Sequence, residues 1–346
     1  MHLVTFERAS GNRIQNDVGT LGDAAMGFAS IEPGRPGSRR IGAVVSVGTY
    51  AGWLVDLNRA LAIKLAYDDV GAPDLEADWM VPSDMLSLLR RGPAALKAAK
   101  MALDFAIETL ACYNAPDFLR AGAVERADRV RLCAPLPRPG KIIGTSHENF
   151  ALDTSVPEKS AVPRLFLKAP SAVIGPDDEI SLPAGAHRVC FQAALAAVIG
   201  GRARNVAVAD ALDHVAGYCA ANDVHCPDFE DGSIGRSCDS FAPLGPRLVT
   251  ADEIPDPADL GVRSVVSGDV VQTSRTKEMR FSIAQIIAHA STIMALEPGD
   301  VILVAVPPEA EASGKRDGWI RDGDLIEVEI ESLGRLRNYV TSAKSA

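Results

Sequence analysis

Two long apolar runs joined by a short charged segment constrain the fold of this chain more than any other feature. The runs are RVCFQAALAAVIG, which begins at residue 188, and VAGYCAAND, which ends at Asp223. Together with the intervening segment they predict a long strand, a short helix and a second strand. The second strand ends in the acid Asp223. The first strand carries Gln192 and Ala194 at the positions where a partner carboxylate could be expected.

Most of the remaining C-terminal sequence also has strand character. Residues 141–146 and 164–169 are short apolar runs, and residues 262–274 predict a hairpin over Ser-Gly-Asp. Residues 282–296 predict one amphipathic helix that Ser282 can cap. Residues 324–340 predict two more strands. Many strands with few helices indicate a sheet-rich barrel or sandwich.

The N-terminal part predicts a smaller α+β unit. Residues 41–57 predict two strands about a glycine-containing turn, and a helix is expected from Asn58. Residues 92–113 predict a stronger helix, with Pro93 at its first position. The proline-rich segment 132–141 marks a boundary. We therefore assign residues 1–137 to an N-terminal domain and residues 138–346 to the main domain.

The charge balance limits the class of partner. The 346-residue chain carries a formal net charge of −10, which argues against binding to nucleic acid or to an anionic membrane surface. No export signal and no apolar stretch long enough to span a bilayer are apparent. The six cysteines are scattered and form no CxxC pair, so reduced thiols and a cytoplasmic location are expected.

Seven separated segments, in order and spacing, resemble the fumarylacetoacetate hydrolase family. The resemblance covers about residues 140–340 and implies a mixed β-sandwich roll, usually assembled as a homodimer. The expected fold class is therefore α+β and β-rich, with the smaller α+β domain placed before the roll. The segments are KIIG, RLFLKAPSAVIGP, AAVIGGRARNV, ADALDHVAGYCAANDV, GRSCDSFAPLGP, ALEPGDVIL and GDLIEVEIESLGRLRN.

The resemblance also implies a Mg²⁺ or Mn²⁺ site that this sequence has largely lost. Family members hold the metal with an acid-x-acid pair on one strand and the Asp of an Asn-Asp-Val turn. Here the pair reads Gln192 and Ala194, and only Asp223 remains. Because Mg²⁺ gives up its waters reluctantly, one carboxylate and one amide should bind it poorly. No metal or other cofactor is therefore expected, with Mg²⁺ or Mn²⁺ as the alternative.

The acid–base residues that the resemblance implies have changed as well. Asp153 stands where the family has a general-base histidine, and His147 and Glu148 precede it on the same segment. Glu230 stands where a donor to the oxyanion is expected, and a carboxylate there would repel a developing negative charge. Asp223, Asp153, His147, Glu148 and Glu230 are the candidate catalytic residues, with solvated loop positions as the alternative for Asp153, His147 and Glu148.

Three residues are candidates for binding the substrate. Lys168 is retained, Arg236 replaces a lysine and keeps its charge, and Gln192 keeps a neutral oxygen. Where the family has a threonine that contacts the substrate, this sequence has Val306. Cys190 and His225 leave a Cys-His dyad open, although a lone cysteine in an apolar strand is usually a small core residue.

Three functions remain open on this basis. The first is a metal-independent enzyme that acts by acid–base chemistry on a small 2-oxo or β-dicarbonyl compound, possibly cyclic. The reaction would be hydration or dehydration, isomerisation, cyclisation or C–C cleavage, and the enzyme would be of the hydrolase or lyase type. The second is a non-catalytic ligand-binding or scaffolding member of the family. The third is an ordinary Mg²⁺- or Mn²⁺-dependent hydrolase or decarboxylase with ligands recruited from Glu230 or His225.

Overall fold

The computed structural model describes residues 1–8, 39–45, 51–113, 116–145, 162–229, 233–306 and 318–342. Its chain separates into two compact units, Met1–Leu132 and Cys133–Ala346. The domain boundary at 137 inferred from the sequence stays a prediction.

The first unit combines an antiparallel sheet with helices. The order is β4-β3-β2-β1, and β5 pairs with β1. The buried Asp56 caps α1 by accepting from the Arg59 backbone N–H, and it also binds Arg40. The elements are β1 His2–Arg8, β2 Arg40–Val44, β3 Trp53–Asp56, α1 Leu57–Tyr67, α2 Pro73–Met80, α3 Met85–Arg90, α4 Pro93–Tyr113, α5 Pro116–Arg120, β4 Val124–Arg126 and β5 Val130–Cys133.

The second unit is built almost entirely from strands. One sheet has the order β12-β11-β10-β15-β6-β7, with β8 on β12, and another has the order β14-β13-β16-β17-β9. The elements are β6 Ile142–Thr145, β7 Leu165–Lys168, β8 Val173–Ile174, β9 Glu179–Leu182, β10 Cys190–Ile199, β11 Val215–His225, β12 Ala242–Thr250, β13 Gly261–Val266, β14 Asp269–Arg275, α6 Ile283–Ile293, β15 Val301–Ala305, β16 Leu325–Ile330 and β17 Gly334–Ser342.

The two central strands, β10 and β11, position the site. They pair antiparallel over their whole length, and nearly every residue in them is buried. Alternate residues of β10, including Leu195, pack in a core with Ile286 and Ile287 of α6. The predicted strand, short helix and strand over 188–224 are confirmed, since a 3-10 helix at Val208–His214 joins β10 to β11.

The other local predictions also agree with the structure. The hairpin is β13 and β14, and the C-terminal strand pair is β16 and β17. Ser282 caps α6 and, with Gln285, forms a capping box. Within the described ranges, no helix combines the length and apolar character needed to cross a membrane.

Candidate functional site

The antiparallel register of β10 and β11 gathers four polar side chains on one face. Gln192 lies opposite Asp223, and Cys190 lies opposite His225. Since side chains two apart on a strand share a face, these four form a square at the end of the strand pair. The sequence supplies this arrangement because Cys190 and Gln192 lie near the start of the first apolar run, and Asp223 and His225 lie at or just beyond the end of the second.

Asp223 is the centre of this face and is bound by two cations. Lys168 Nζ donates to Asp223 Oδ1 at 2.5 Å, and Arg236 Nη1 donates to Asp223 Oδ2 at 2.5 Å. Lys168 Nζ also donates to the Val224 carbonyl at 2.8 Å. The Lys168 side chain is 0% exposed, that of Asp223 1% and that of Arg236 9%. We call these three residues the ion triad.

Burial and charge act in opposite directions on the ion triad. Burial disfavours the charged form of Asp223, but Lys168 and Arg236 outweigh it and hold the pKa of this carboxyl below its usual value. Burial lowers the pKa of Lys168, and the contact with Asp223 opposes that change. An ionised Asp223 is a weak proton acceptor. Two cations and one carboxylate leave one net positive charge on this face.

Arg236 also contacts an aromatic ring. Its guanidinium carbon lies 4.0 Å from the centroid of the Phe166 ring, a cation–π contact. Phe166 pairs across strands with Gly144 of β6. A Cβ at Gly144 would come within 2.1 Å of the Phe166 ring, so this strand glycine permits a close approach. Gly144, Phe166 and Arg236 thus form a stack, which we call the glycine–ring stack.

The residues present do not fit the divalent metal that the family resemblance implies. Both oxygens of Asp223 already accept charge-assisted hydrogen bonds from cations. Ala194 is buried and offers no ligand, so the Gln192 amide oxygen is the single remaining donor of the expected set. Mg²⁺ and Mn²⁺ require several oxygen ligands. Across the part of the chain that the structure describes, no group of three His, Cys, Asp or Glu side chains could hold a metal.

The structure brings Cys190 and His225 together, but not as an activated nucleophile. Cys190 Sγ lies 3.0 Å from His225 Nε2 and 3.6 Å from Nδ1. A sulfur so close to both nitrogens lies off the in-plane lone-pair axis of either one. Burial, with a contribution from Asp223, raises the pKa of the Cys190 thiol to about 12. The thiol is therefore protonated at neutral pH and unreactive.

Alkylation tests this conclusion about Cys190. We expect iodoacetamide to label Cys190 about 1000-fold more slowly at pH 7 than an exposed peptide thiol, because its thiolate fraction is lower by that factor. The labelling rate should rise about tenfold per pH unit up to pH 10. Peptide mass spectrometry follows the label. A rate that reaches a plateau below pH 8 would show a thiolate and contradict this assignment.

Sequence reasoning found part of this site and missed part. It named Asp223, Lys168, Arg236 and Gln192, which the structure places on or beside one face. Asp153, His147, Glu148 and Glu230 lie outside the described residues, so their roles stay predictions. It missed Phe166 and Gly144, although a glycine inside a predicted strand is a signal of close approach.

The structure also contains unpartnered polar atoms near Asp223. The buried Gln192 Oε1 has no hydrogen-bond partner among the described residues. The same holds for both amide atoms of Asn222, which lies on the opposite face of β11, beside Ala193. Buried polar atoms without partners are uncommon in folded proteins.

Comparison with known proteins gives the sequence relatives of this chain. Residues 144–341 match the family model described as Fumarylacetoacetate (FAA) hydrolase C-terminal. Oxaloacetate tautomerase fahd2, mitochondrial, of Xenopus laevis is 38% identical over 276 residues, which cover 77% of this chain and 82% of that protein. Oxaloacetate tautomerase FAHD2A, mitochondrial, of Homo sapiens is 33% identical over 271 residues, with coverage of 76% and 81%.

Solved structures give the same result. Maleylpyruvate hydrolase from Sphingobium sp. SYK-6, in complex with manganese(II) ion and pyruvate, superposes with a TM-score of 0.63 at 26% identity and covers 99% of this chain and 100% of that one. A 5-carboxymethyl-2-hydroxymuconate delta-isomerase from Mycobacterium smegmatis has a TM-score of 0.56 at 35% identity, with coverage of 64% and 84%. The predicted β-rich α+β fold is confirmed.

Proposed function

The chain belongs to the fumarylacetoacetate hydrolase family, and we propose that within it the protein is an enzyme that moves a proton in a small 2-oxo acid without a divalent metal. The reaction would be a tautomerisation or isomerisation. The observation that carries the proposal is the ion triad, in which Lys168 and Arg236 hold the carboxylate of Asp223. Relatives named as tautomerases and isomerases support this reaction class.

The charge of the site suits an anionic substrate. The ion triad has one excess positive charge in a buried setting, where electrostatic attraction is stronger than in water. Of the guanidinium nitrogens of Arg236, only Nη1 hydrogen-bonds to a described residue. The other N–H groups can therefore donate hydrogen bonds to a carboxylate or enolate oxygen of a ligand.

In this mechanism Asp223 positions the two cations, since its lowered pKa makes it a poor base. Lys168 and Arg236 stabilise the negative charge that develops on the substrate oxygen when a proton leaves the neighbouring carbon. We assign the transfer of the proton itself to the candidates that the family resemblance implies, which are Asp153, His147, Glu148 and Glu230. We also propose that the protein is a homodimer, that it lies in the cytoplasm and that its partner is a small molecule.

Turnover after metal removal tests the proposal. We expect EDTA-treated protein to accelerate the keto–enol exchange of oxaloacetate, or of an acylpyruvate, over the buffer rate, and Mn²⁺ to change kcat/KM by less than about twofold. Arg236→Ala should lower kcat/KM by about 100-fold or more, as expected for loss of a charged group that stabilises an oxyanion. Absorbance of the enol measures both.

Two control variants accompany this experiment. Arg335→Ala removes an exposed arginine paired with Glu327 and Glu329, and it should leave turnover unchanged. Arg236→Lys keeps the charge and should retain part of the activity. Activity that disappears with EDTA and returns with Mn²⁺ would refute metal independence. No activity over buffer with any tested oxo acid would refute the proposed function.

A second candidate is a ligand-binding protein without catalysis. Complete burial of the Lys168 side chain favours it, because an ion triad closed to solvent can serve structure alone. A ligand that raises the melting temperature and is recovered unchanged would support binding without turnover.

A further inference from the structure

Gln192 is the feature of this face that the ion triad does not explain. Its amide oxygen is buried and has no hydrogen-bond partner in the described parts of the chain, although the residue as a whole is half-buried. An unsatisfied acceptor destabilises the free protein, and a ligand donor that reached it would recover that loss. The residue as a whole is partly exposed and the terminal torsion of glutamine is soft, so the amide can turn to meet a donor on a ligand.

The groups around Gln192 restrict which ligand can supply that donor. Asp223, directly across the strand pair, is occupied by Lys168 and Arg236, which have donors and no acceptor. The face therefore offers donors for an anionic oxygen and, at Gln192, an acceptor oxygen that has no partner among the described residues. A keto acid has only acceptors to offer. An enol or a 2-hydroxy acid has an anionic oxygen and, in addition, an O–H.

We infer that Gln192 is a specificity-determining residue, whose amide oxygen accepts a hydrogen bond from the hydroxyl of an enol or 2-hydroxy acid while Arg236 holds the anionic oxygen. This inference rests on the proposed function for its setting and names the form of substrate that the site prefers. It also gives Gln192 a role different from that of a metal ligand, because a hydroxyl donor needs a single acceptor whereas a dication needs several.

A pair of probe ligands that differ by one hydroxyl tests the inference. L-malate and D-malate carry the hydroxyl, and succinate lacks it. We expect the parent protein to bind one malate enantiomer about 3- to 10-fold more tightly than succinate, as expected for one net hydrogen bond. In Gln192→Met, which has similar shape and no comparable acceptor, the two affinities should become equal within about twofold, with that of succinate little changed. Isothermal titration measures all of them.

Two further variants keep the result interpretable. Gln192→Glu retains an acceptor and should retain the preference for malate. Gln192→Met should melt at the same temperature as the parent or higher, because it removes an unsatisfied buried acceptor; this shows that the variant is folded.

The outcomes separate this inference from the proposed function. Equal affinities in the parent, an unchanged preference in Gln192→Met, or no binding of any of the three acids would overturn the inference. A protein that shows the preference and its loss, yet turns over no oxo acid, would refute the proposed enzyme activity and leave the inference in place.

Discussion

Lys168→Met is expected to lower the free energy of unfolding by about 3–5 kcal/mol, the range measured when one partner of a buried ion pair is removed. The reason is that Asp223 would keep its charge in a buried site with one cation fewer. Lys168 Nζ also satisfies the Val224 carbonyl, which would lose that bond. Urea denaturation followed by circular dichroism gives the change.

Two variants show whether the loss comes from the buried ion triad. Asp223→Asn added to Lys168→Met should lower the stability further, because it leaves the buried guanidinium of Arg236 without its carboxylate. Lys64→Met removes a partly exposed lysine that pairs with Asp68, and it should cost less than about 1 kcal/mol. A loss below about 1 kcal/mol for Lys168→Met would show that the ion triad is not a buried, coupled unit.

Replacing Gln192 and Ala194 by glutamate is expected to create Mn²⁺ affinity. The two positions lie on one face of β10, and Gln192 lies opposite Asp223, so three carboxylates would converge. Affinity should rise by about 100-fold or more, since loss of even one outer-shell partner typically costs roughly 10–100-fold. Titration calorimetry and metal analysis after dialysis measure it.

Stability gives a second measurement on the double variant. Ala194 is fully buried, so a glutamate there should lower the melting temperature without metal, and Mn²⁺ should raise it again. The single variants serve as controls and should bind metal much more weakly. If the double variant binds no more Mn²⁺ than the parent, positions 192 and 194 do not face Asp223 in the way the strand register indicates.

Much of the fold could be predicted because its signals are local. The strand pair at 188–224, the hairpin at 262–274 and the helix capped by Ser282 each depend on apolar spacing and on turn or capping residues within a few positions. The family resemblance supplied the long-range arrangement that such signals lack.

The site was harder to predict because its contacts join distant parts of the chain. Sequence placed Lys168, Asp223 and Arg236 in one pocket, but not the ionic bonds that occupy both oxygens of Asp223. These bonds depend on how β7 and the segment after β11 approach each other. The sequence could not predict the unpartnered Gln192 oxygen either. Whether an amide oxygen finds a hydrogen-bond donor depends on all of its neighbours in space.

Through the glycine–ring stack, the position of the Arg236 guanidinium depends on residue 144, which has no functional group. Any side chain at residue 144 would push the Phe166 ring away from β6 and so disturb its contact with the Arg236 guanidinium. The electrostatics around Asp223 can consequently be altered from an uncharged backbone position one strand beyond Phe166. Selection for a given substrate can therefore act at residue 144 as directly as on the charged groups themselves.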